Sequence, residues 1–222
     1  MSLLPPVTEY QSMAERAYGA PAPETHSTRV GESWYGEDLN HQTHTAVLFS
    51  ELDMTEVTNK GSIFTDCTFR RARFNSSVHV DAAFLNCTFV ACKFFDASFT
   101  DCKFVGAMFD GCMFEVMRVD GGDWSFAGLP GADLRKAKFH GTRMREVDLT
   151  GARCEGGVLR DVDLSGAWLH SADFSRCDLR GSDLSALEPE HVQLTGAIIT
   201  TVQALAIAEA LGLDVRPGSE SG

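Results

Sequence analysis

The chain has 222 residues, a formal net charge of −12 and a pI near 4.9. That balance suits one or two domains and argues against a sequence-independent nucleic-acid binder, because neutralising phosphates requires clustered Lys and Arg. No apolar run approaches the roughly 18 residues of a membrane span, and the opening MSLLPPVTEY lacks the basic and apolar regions of a secretion signal, so a cytoplasmic location is expected.

Residues 1–31 come first in chain order. Pro5, Pro6, Pro21 and Pro23 flank TEYQSMAERAYG, in which Tyr10, Met13, Ala14 and Ala17 fit one face of a short helix. The segment reads as a flexible extension. From residue 32 a five-residue rhythm sets in, marked less regularly at first by Trp34, Leu39, His44, Phe49, Met54 and Asn59. It then becomes dense: Phe64, Phe69, Phe74, His79, Phe84, Phe89, Phe94, Phe99, Phe104, Phe109 and Phe114 stand five apart, and the frame holds without a slip to Ile199. Residues two before each centre are mostly Ala or Cys, while the other three slots carry mainly Asp, Arg, Lys, Ser, Thr and Gly.

A period of five matches neither the alternation of a strand nor the 3.6-residue period of a helix. A chain that turns inward once per pentad closes a square coil after four pentads. Residues 20 apart then stack at the strand spacing of about 4.8 Å. Two such columns are expected, Phe69–Phe89–Phe109–Leu129–Leu149–Leu169 and Phe74–Phe94–Phe114–Leu134. One repeat cannot bury its apolar face alone, so the repeats must stack in one dimension.

Six of the seven cysteines (Cys67, Cys87, Cys92, Cys102, Cys112 and Cys177) share the small slot, and Cys154 takes a centre. They read as buried free thiols rather than disulfides. Asn59 and His79 fall in one column, which predicts a hydrogen-bonded polar rung. His41 and His44 have no third ligand nearby and the cysteine spacing follows from the repeat, so neither metal nor cofactor is expected. Because no nucleophile–base pair or phosphate loop stands clear of the repeat, catalysis is not expected either.

After Ile199 the rhythm stops. Thr200 and Gln203 fit a capping box and Gly212 fits a helix stop, predicting a helix within 200–213 and a disordered tail over 214–222. That helix is more apolar than one contact requires, so it either covers the open end of the coil or also pairs with a second copy. The pairing residues would be Val202, Leu205, Ala206, Ala208, Leu211 and Leu213.

The runs ADLRKAKF, VDLTGARC, VDLSGAWL, CDLRGSDL and CTFVACKF resemble the pentapeptide repeat family over roughly residues 62–199. The resemblance implies an all-β solenoid, a right-handed quadrilateral β-helix, expected here over residues 32–199. The Pro-containing final coil and the near-apolar helix ending in EALGLDV are similar to the quinolone-resistance branch of that family, which includes the mycobacterial fluoroquinolone-resistance protein and the Qnr type. This implies a homodimer, joined through the C-terminal helix, that binds DNA gyrase as a mimic of duplex DNA and contacts neither nucleic acid nor membrane. The uninterrupted rod departs from the Qnr type and is closer to the mycobacterial pattern. Two alternatives stay open: a scaffolding protein with another protein partner, and a dedicated self-immunity factor.

Charge tests the mimicry. Residues 60–199 carry 19 acidic and 16 basic residues, a net of three negative, far from the duplex density of one charge per about 1.7 Å. The excess sits at the ends, with six acids and no Lys or Arg from Val30 to Asn59, and five acids and none from Gly181 to Val215. Asp163, Asp173, Asp178, Asp183, Glu188 and Glu190 are the candidate partner-facing charges. The basic patch Arg135, Lys136, Lys138, Arg143 and Arg145 reads as a solvated face paired with nearby acids. Phe95 and Trp168 occupy outward slots.

Overall fold

The computed structural model describes residues 22–216. The helical face expected at Tyr10, Met13, Ala14 and Ala17 and the end of the tail lie outside the described residues. Between them the chain winds a parallel β-solenoid. One face is a five-stranded sheet whose strands Val47–Ser50, Thr68–Arg70, Thr88–Val90 and Met108–Asp110 follow Ser27–Val30. A second face is seven-stranded, running from Asp38–Asn40 through Val78–Val80 to Val158–Arg160, and a third is three-stranded, from Thr43–Thr45 to Ala83–Leu85. The fourth is a row of single bridges, Ser33 to Asp53 to Arg73 to Lys93 to Met113. Every pairing advances by one coil, as in Phe69 with Phe89 and Phe64 with Phe84.

This register turns the sequence period into a core. Phe64 and Phe84 stack with ring centroids 4.9 Å apart and planes 2° from parallel, and Phe69 and Phe89 at 5.0 Å and 5°. Neighbouring columns meet edge to face, as Phe64 and Phe69 do at 5.5 Å and 66°. Both geometries suit the ring quadrupole, and each buried ring contributes about 1.5–3 kcal/mol from burial alone. All seven cysteines are free thiols. Burial pushes the Cys102 and Cys177 thiols up to about 12, so they act as small apolar fillers.

The corners carry the cost of a square coil. The residue two after most centres takes a left-handed conformation even where it is not glycine, as at Asp66 (φ 54°), Asn86 (φ 52°) and Asp101 (φ 52°). A positive φ at the third residue of a tight turn defines the type II geometry that the repeat needs, and Asp and Asn tolerate it better than most. Gly122 is different, because it lies in the small inward slot with φ +78°, where a Cβ would run into the Cys102 carbonyl oxygen. Two residues on, the buried Trp124 lies with its ring centroid 4.1 Å from that of Phe104.

The coil begins at Ser27, ahead of the boundary expected at residue 32. That start is hard to recognise because Arg29 occupies the centre slot of the strand. Among the described residues nothing stacks above the slot, and the guanidinium lies over the Phe49 ring at 5.8 Å and faces Glu32 at 3.6 Å. At the other end the helix spans Thr201–Ala210 with the expected capping box at Thr200 and Gln203. Gly212 (φ +77°) closes it, its N–H bonding Glu209 O at 2.8 Å while Leu213 N bonds Ala208 O at 3.0 Å.

Asn59 and His79 form the expected buried rung. Ser77 donates its hydroxyl to Phe74 O at 2.6 Å and so accepts from His79 Nε2 at 2.9 Å, which leaves Nδ1 to accept from Asn59 Nδ2 at 3.1 Å. That chain requires the neutral ring, and burial pushes the His79 pKa down to about 3. The folded value lies below the ordinary 6.5, so the stability is fully present above pH 6.5 and is lost as pH falls toward 3, at about 1.4 kcal/mol per pH unit. Burial also lowers the His44 pKa, adding to the same window. Urea unfolding at pH 7 and about pH 4.5 is expected to show a smaller stability loss in Asn59→Leu/His79→Phe than in the wild type. Equal losses would remove His79 as the cause.

Candidate partner-binding surfaces

The core is filled, so any partner must be met on the outer faces or the ends. At the C-terminal end the ladder is completed by a side chain. Within the rod, Thr142 O receives Asp163 N and Val162 O receives Asp183 N, the donor lying one coil and one residue onward. One coil later the corresponding acceptor, Ser182 O, receives Gln203 Nε2 at 2.8 Å, and the same amide donates to Leu179 O at 2.7 Å. Gln203 Oε1 accepts from Thr200 N at 2.8 Å, so one buried amide ends the solenoid and starts the helix. Gln203→Ala is expected to destabilise the protein by about 1–3 kcal/mol, since two buried carbonyls lose a donor. Hydrogen exchange should quicken first in the last coil, and unchanged exchange there would contradict the plug.

The rest of the helix faces outward. Val202 is 76% exposed, Leu205, Leu211 and Leu213 are exposed with it, Ala206 is open and Ala208 is half-buried. Only Gln203 among the helical residues is fully buried, while Ile207 packs partly against the core. Ile198 and Val215, before and after the helix, are exposed as well.

The six candidate acids do not converge. Asp163 and Asp183 are successive rungs of one column, with Arg143 below them. Asp173 lies between Arg153 and Gln193 on another face, Asp178 between Val158 and Ile198 on a third, and on the fourth Glu188 precedes the 3-10 turn Pro189–His191 that contains Glu190. Most are also engaged. Asp163, Asp173 and Asp183 each accept the backbone N–H of a serine two residues on, at 3.1, 2.8 and 2.8 Å. The Arg180 guanidinium, 2.7 Å away, holds the Asp178 carboxyl below its usual range. Burial raises the Asp163 pKa, but the Ser165 and Arg145 hydrogen bonds outweigh it and the value is lowered. Glu188 meets His191 at 2.6 Å.

Four of the five residues of the basic patch are paired with acids, Arg135 with Asp133 at 2.6 Å, Lys136 with Glu115 at 3.3 Å, Arg143 with Asp123 at 3.1 Å and Arg145 with Asp163 at 2.6 Å. Such exposed pairs contribute little to stability and leave the lateral faces near neutral. Phe95 and Trp168 point outward, half exposed. Further exposed apolar residues went unmarked in the sequence, among them Met113 and Phe126. The signal at Phe126 was its slot, a left-handed corner (φ 61°) otherwise held mostly by Asp, Gly, Ser or Asn. Among the described residues no group of three His, Cys, Asp or Glu side chains could hold a metal, and no helix is long and apolar enough to cross a membrane.

The family model for pentapeptide repeats matches residues 121–151 and 148–185, in eight copies, and the model for the SV2A/B/C luminal domain matches residues 25–114. No curated protein matches the sequence at a significant level. Among solved structures, a trypsin-treated variant of QnrB1, described as a plasmid-mediated fluoroquinolone resistance protein, is 24% identical with a TM-score of 0.75, covering 87% of this chain and 99% of its own. Full-length QnrB1 is 23% identical with a TM-score of 0.63, covering 86% of this chain and 99% of its own. At these identities the likeness establishes the fold.

Proposed function

We propose that this protein, a pentapeptide repeat protein with the β-helical fold of QnrB1, binds DNA gyrase in competition with DNA. By doing so it modulates or inhibits supercoiling and protects the enzyme from quinolones or natural gyrase poisons. The observation that carries this reading is the fold likeness, which spans the rod and covers 99% of a protein described as conferring fluoroquinolone resistance. Physical chemistry supports it in two ways. A filled solenoid offers only surface, which suits docking rather than turnover. A net charge of −12 favours a partner whose own surface is basic, as any surface that holds DNA must be.

The test is supercoiling by purified gyrase with increasing amounts of this protein, with and without a fluoroquinolone, scoring relaxed DNA and cleaved complex. Inhibition or reduced cleavage near stoichiometric dose is the expected outcome. No change in either up to a large excess would remove gyrase as the partner. The spread of the six acids over four faces favours a second reading in that event, a scaffold that docks another protein.

The functional unit in this proposal is a dimer joined through Val202, Leu205, Ala206, Ala208, Leu211 and Leu213, which would bring two acid-rich C-terminal coils together. Exposed leucines in a capped helix have no other evident use, because Gln203 alone already completes the coil end. Sedimentation velocity is expected to give a dimer mass for the wild type and a monomer mass for Leu205→Asp/Leu211→Asp. A wild-type monomer at tens of micromolar would overturn the dimer.

A further inference from the structure

Two columns of the small inward slot carry cysteines in consecutive coils. Cys67 is followed one coil on by Cys87 and Cys92 by Cys112, whereas Cys102 and Cys177 have no cysteine 20 residues before or after them. For the second pair the ladder fixes the register, with Met113 N bonding Cys92 O at 2.9 Å and Phe94 N bonding Met113 O at 2.8 Å. Both thiols point the same way. Cys92 Sγ donates to Phe69 O at 3.3 Å and Cys112 Sγ to Phe89 O at 3.4 Å, each reaching a carbonyl 23 residues back. The two thiols are also hydrogen-bonded to each other.

Access separates the two pairs. Cys67, Cys87 and Cys92 are buried, but Cys112 is only half-buried and lines a cleft of about 150 Å³ together with Met113 and Glu115. Ala72 and Ala132 stand one coil beyond the pair on either side, so no third sulfur continues the column.

We infer that Cys92 and Cys112 form a linear dithiolate site for a soft divalent metal ion of the mercury(II) type, entered through the cleft at Cys112. Binding exchanges protons for metal: two S–H bonds break, two metal–sulfur bonds form and two protons leave, with no change of oxidation state. Distance selects this occupant. Two metal–thiolate bonds of about 2.3 Å in line span about 4.6 Å, close to the strand spacing of about 4.8 Å between stacked side chains. A disulfide fits less well, because it draws the β-carbons to about 3.5–4.5 Å while the parallel register holds them near the strand spacing. Charge and ligand number narrow the choice further. A divalent ion between two thiolates is neutral, whereas a monovalent one leaves an uncompensated negative charge in the core. Thiolates favour soft ions, and zinc takes four ligands where this column supplies two sulfurs. The site lies in the coil itself and is independent of the gyrase proposal.

The test uses the reduced full chain with mercury(II) chloride as the probe. One equivalent is added, an excess of 2-mercaptoethanol follows, and native mass spectrometry reads the metal retained. The wild type is expected to keep one ion per chain with the loss of two protons. Cys92→Ala and Cys112→Ala should each lower retention by about tenfold or more, because a preorganised pair outcompetes separate thiols. Alanine is what the column itself carries at Ala72 and Ala132, and Cys102→Ala/Cys177→Ala, which removes two thiols from other columns, should retain the ion. X-ray absorption at the mercury edge should show two sulfur neighbours at about 2.3 Å. No retention by the wild type, retention unchanged in Cys112→Ala, or retention lost in Cys67→Ala/Cys87→Ala instead overturns the site. Three or four sulfur neighbours, or zinc chloride held through the same challenge, overturns its linear geometry. Should Cys112→Ala unfold the chain by circular dichroism, Cys112→Ser decides the same question.

Discussion

The structure depends on one constraint, the parallel backbone register that places each residue over its counterpart one coil away. Because Phe69 pairs with Phe89 and Phe89 with Phe109, a residue type repeated down the sequence becomes a stack in space. A shift of the chain by one residue would exchange inward for outward slots along the whole coil, so the apolar pattern and the hydrogen-bond ladder enforce each other. The ring stacks are a consequence of that register, and their near-parallel planes follow from the strand spacing.

A ladder of this kind has two ends, and the chain handles them differently. At the start, Arg29 lays a charged but flat group over Phe49, and among the described residues the first strand pairs only with the strand one coil on. At the finish, Gln203 supplies with its side-chain amide the donor that another coil would have supplied with its backbone. Both solutions use polar side chains at the terminal coils. The physical reason is shared: an end slot has neighbours on one side only, so burial no longer dictates its chemistry.

The same logic explains what was legible in the sequence. The frame of fives, the columns from Phe64 to Leu169, the free thiols, the Asn59–His79 rung and the capping box were all readable because each is fixed by local slot chemistry. The beginning at Ser27 was not, because Arg29 gives no apolar signal and its partner ring lies a coil away. The candidate acids were harder still. Asp163, Asp173, Asp178 and Asp183 look like free surface charges in one dimension, yet their carboxylates are spent on backbone turns and arginines at distances of 2.6–3.3 Å. Reading faces requires residues to be sorted modulo one coil, and by that sorting the six acids separate onto four faces.

Neutral lateral faces and a filled interior leave recognition to the few outward residues that break the repeat. An aspartate before a central leucine is used up in holding its own turn, and an arginine one coil away in neutralising it. What the chain can offer a partner are side chains that the coil does not need, among them Phe126 in a corner slot, Glu188 beside a 3-10 turn, and the apolar back of the helix. A solenoid built this way can change partners without touching its core, because each such residue is attached to a backbone position whose geometry the ladder has already fixed.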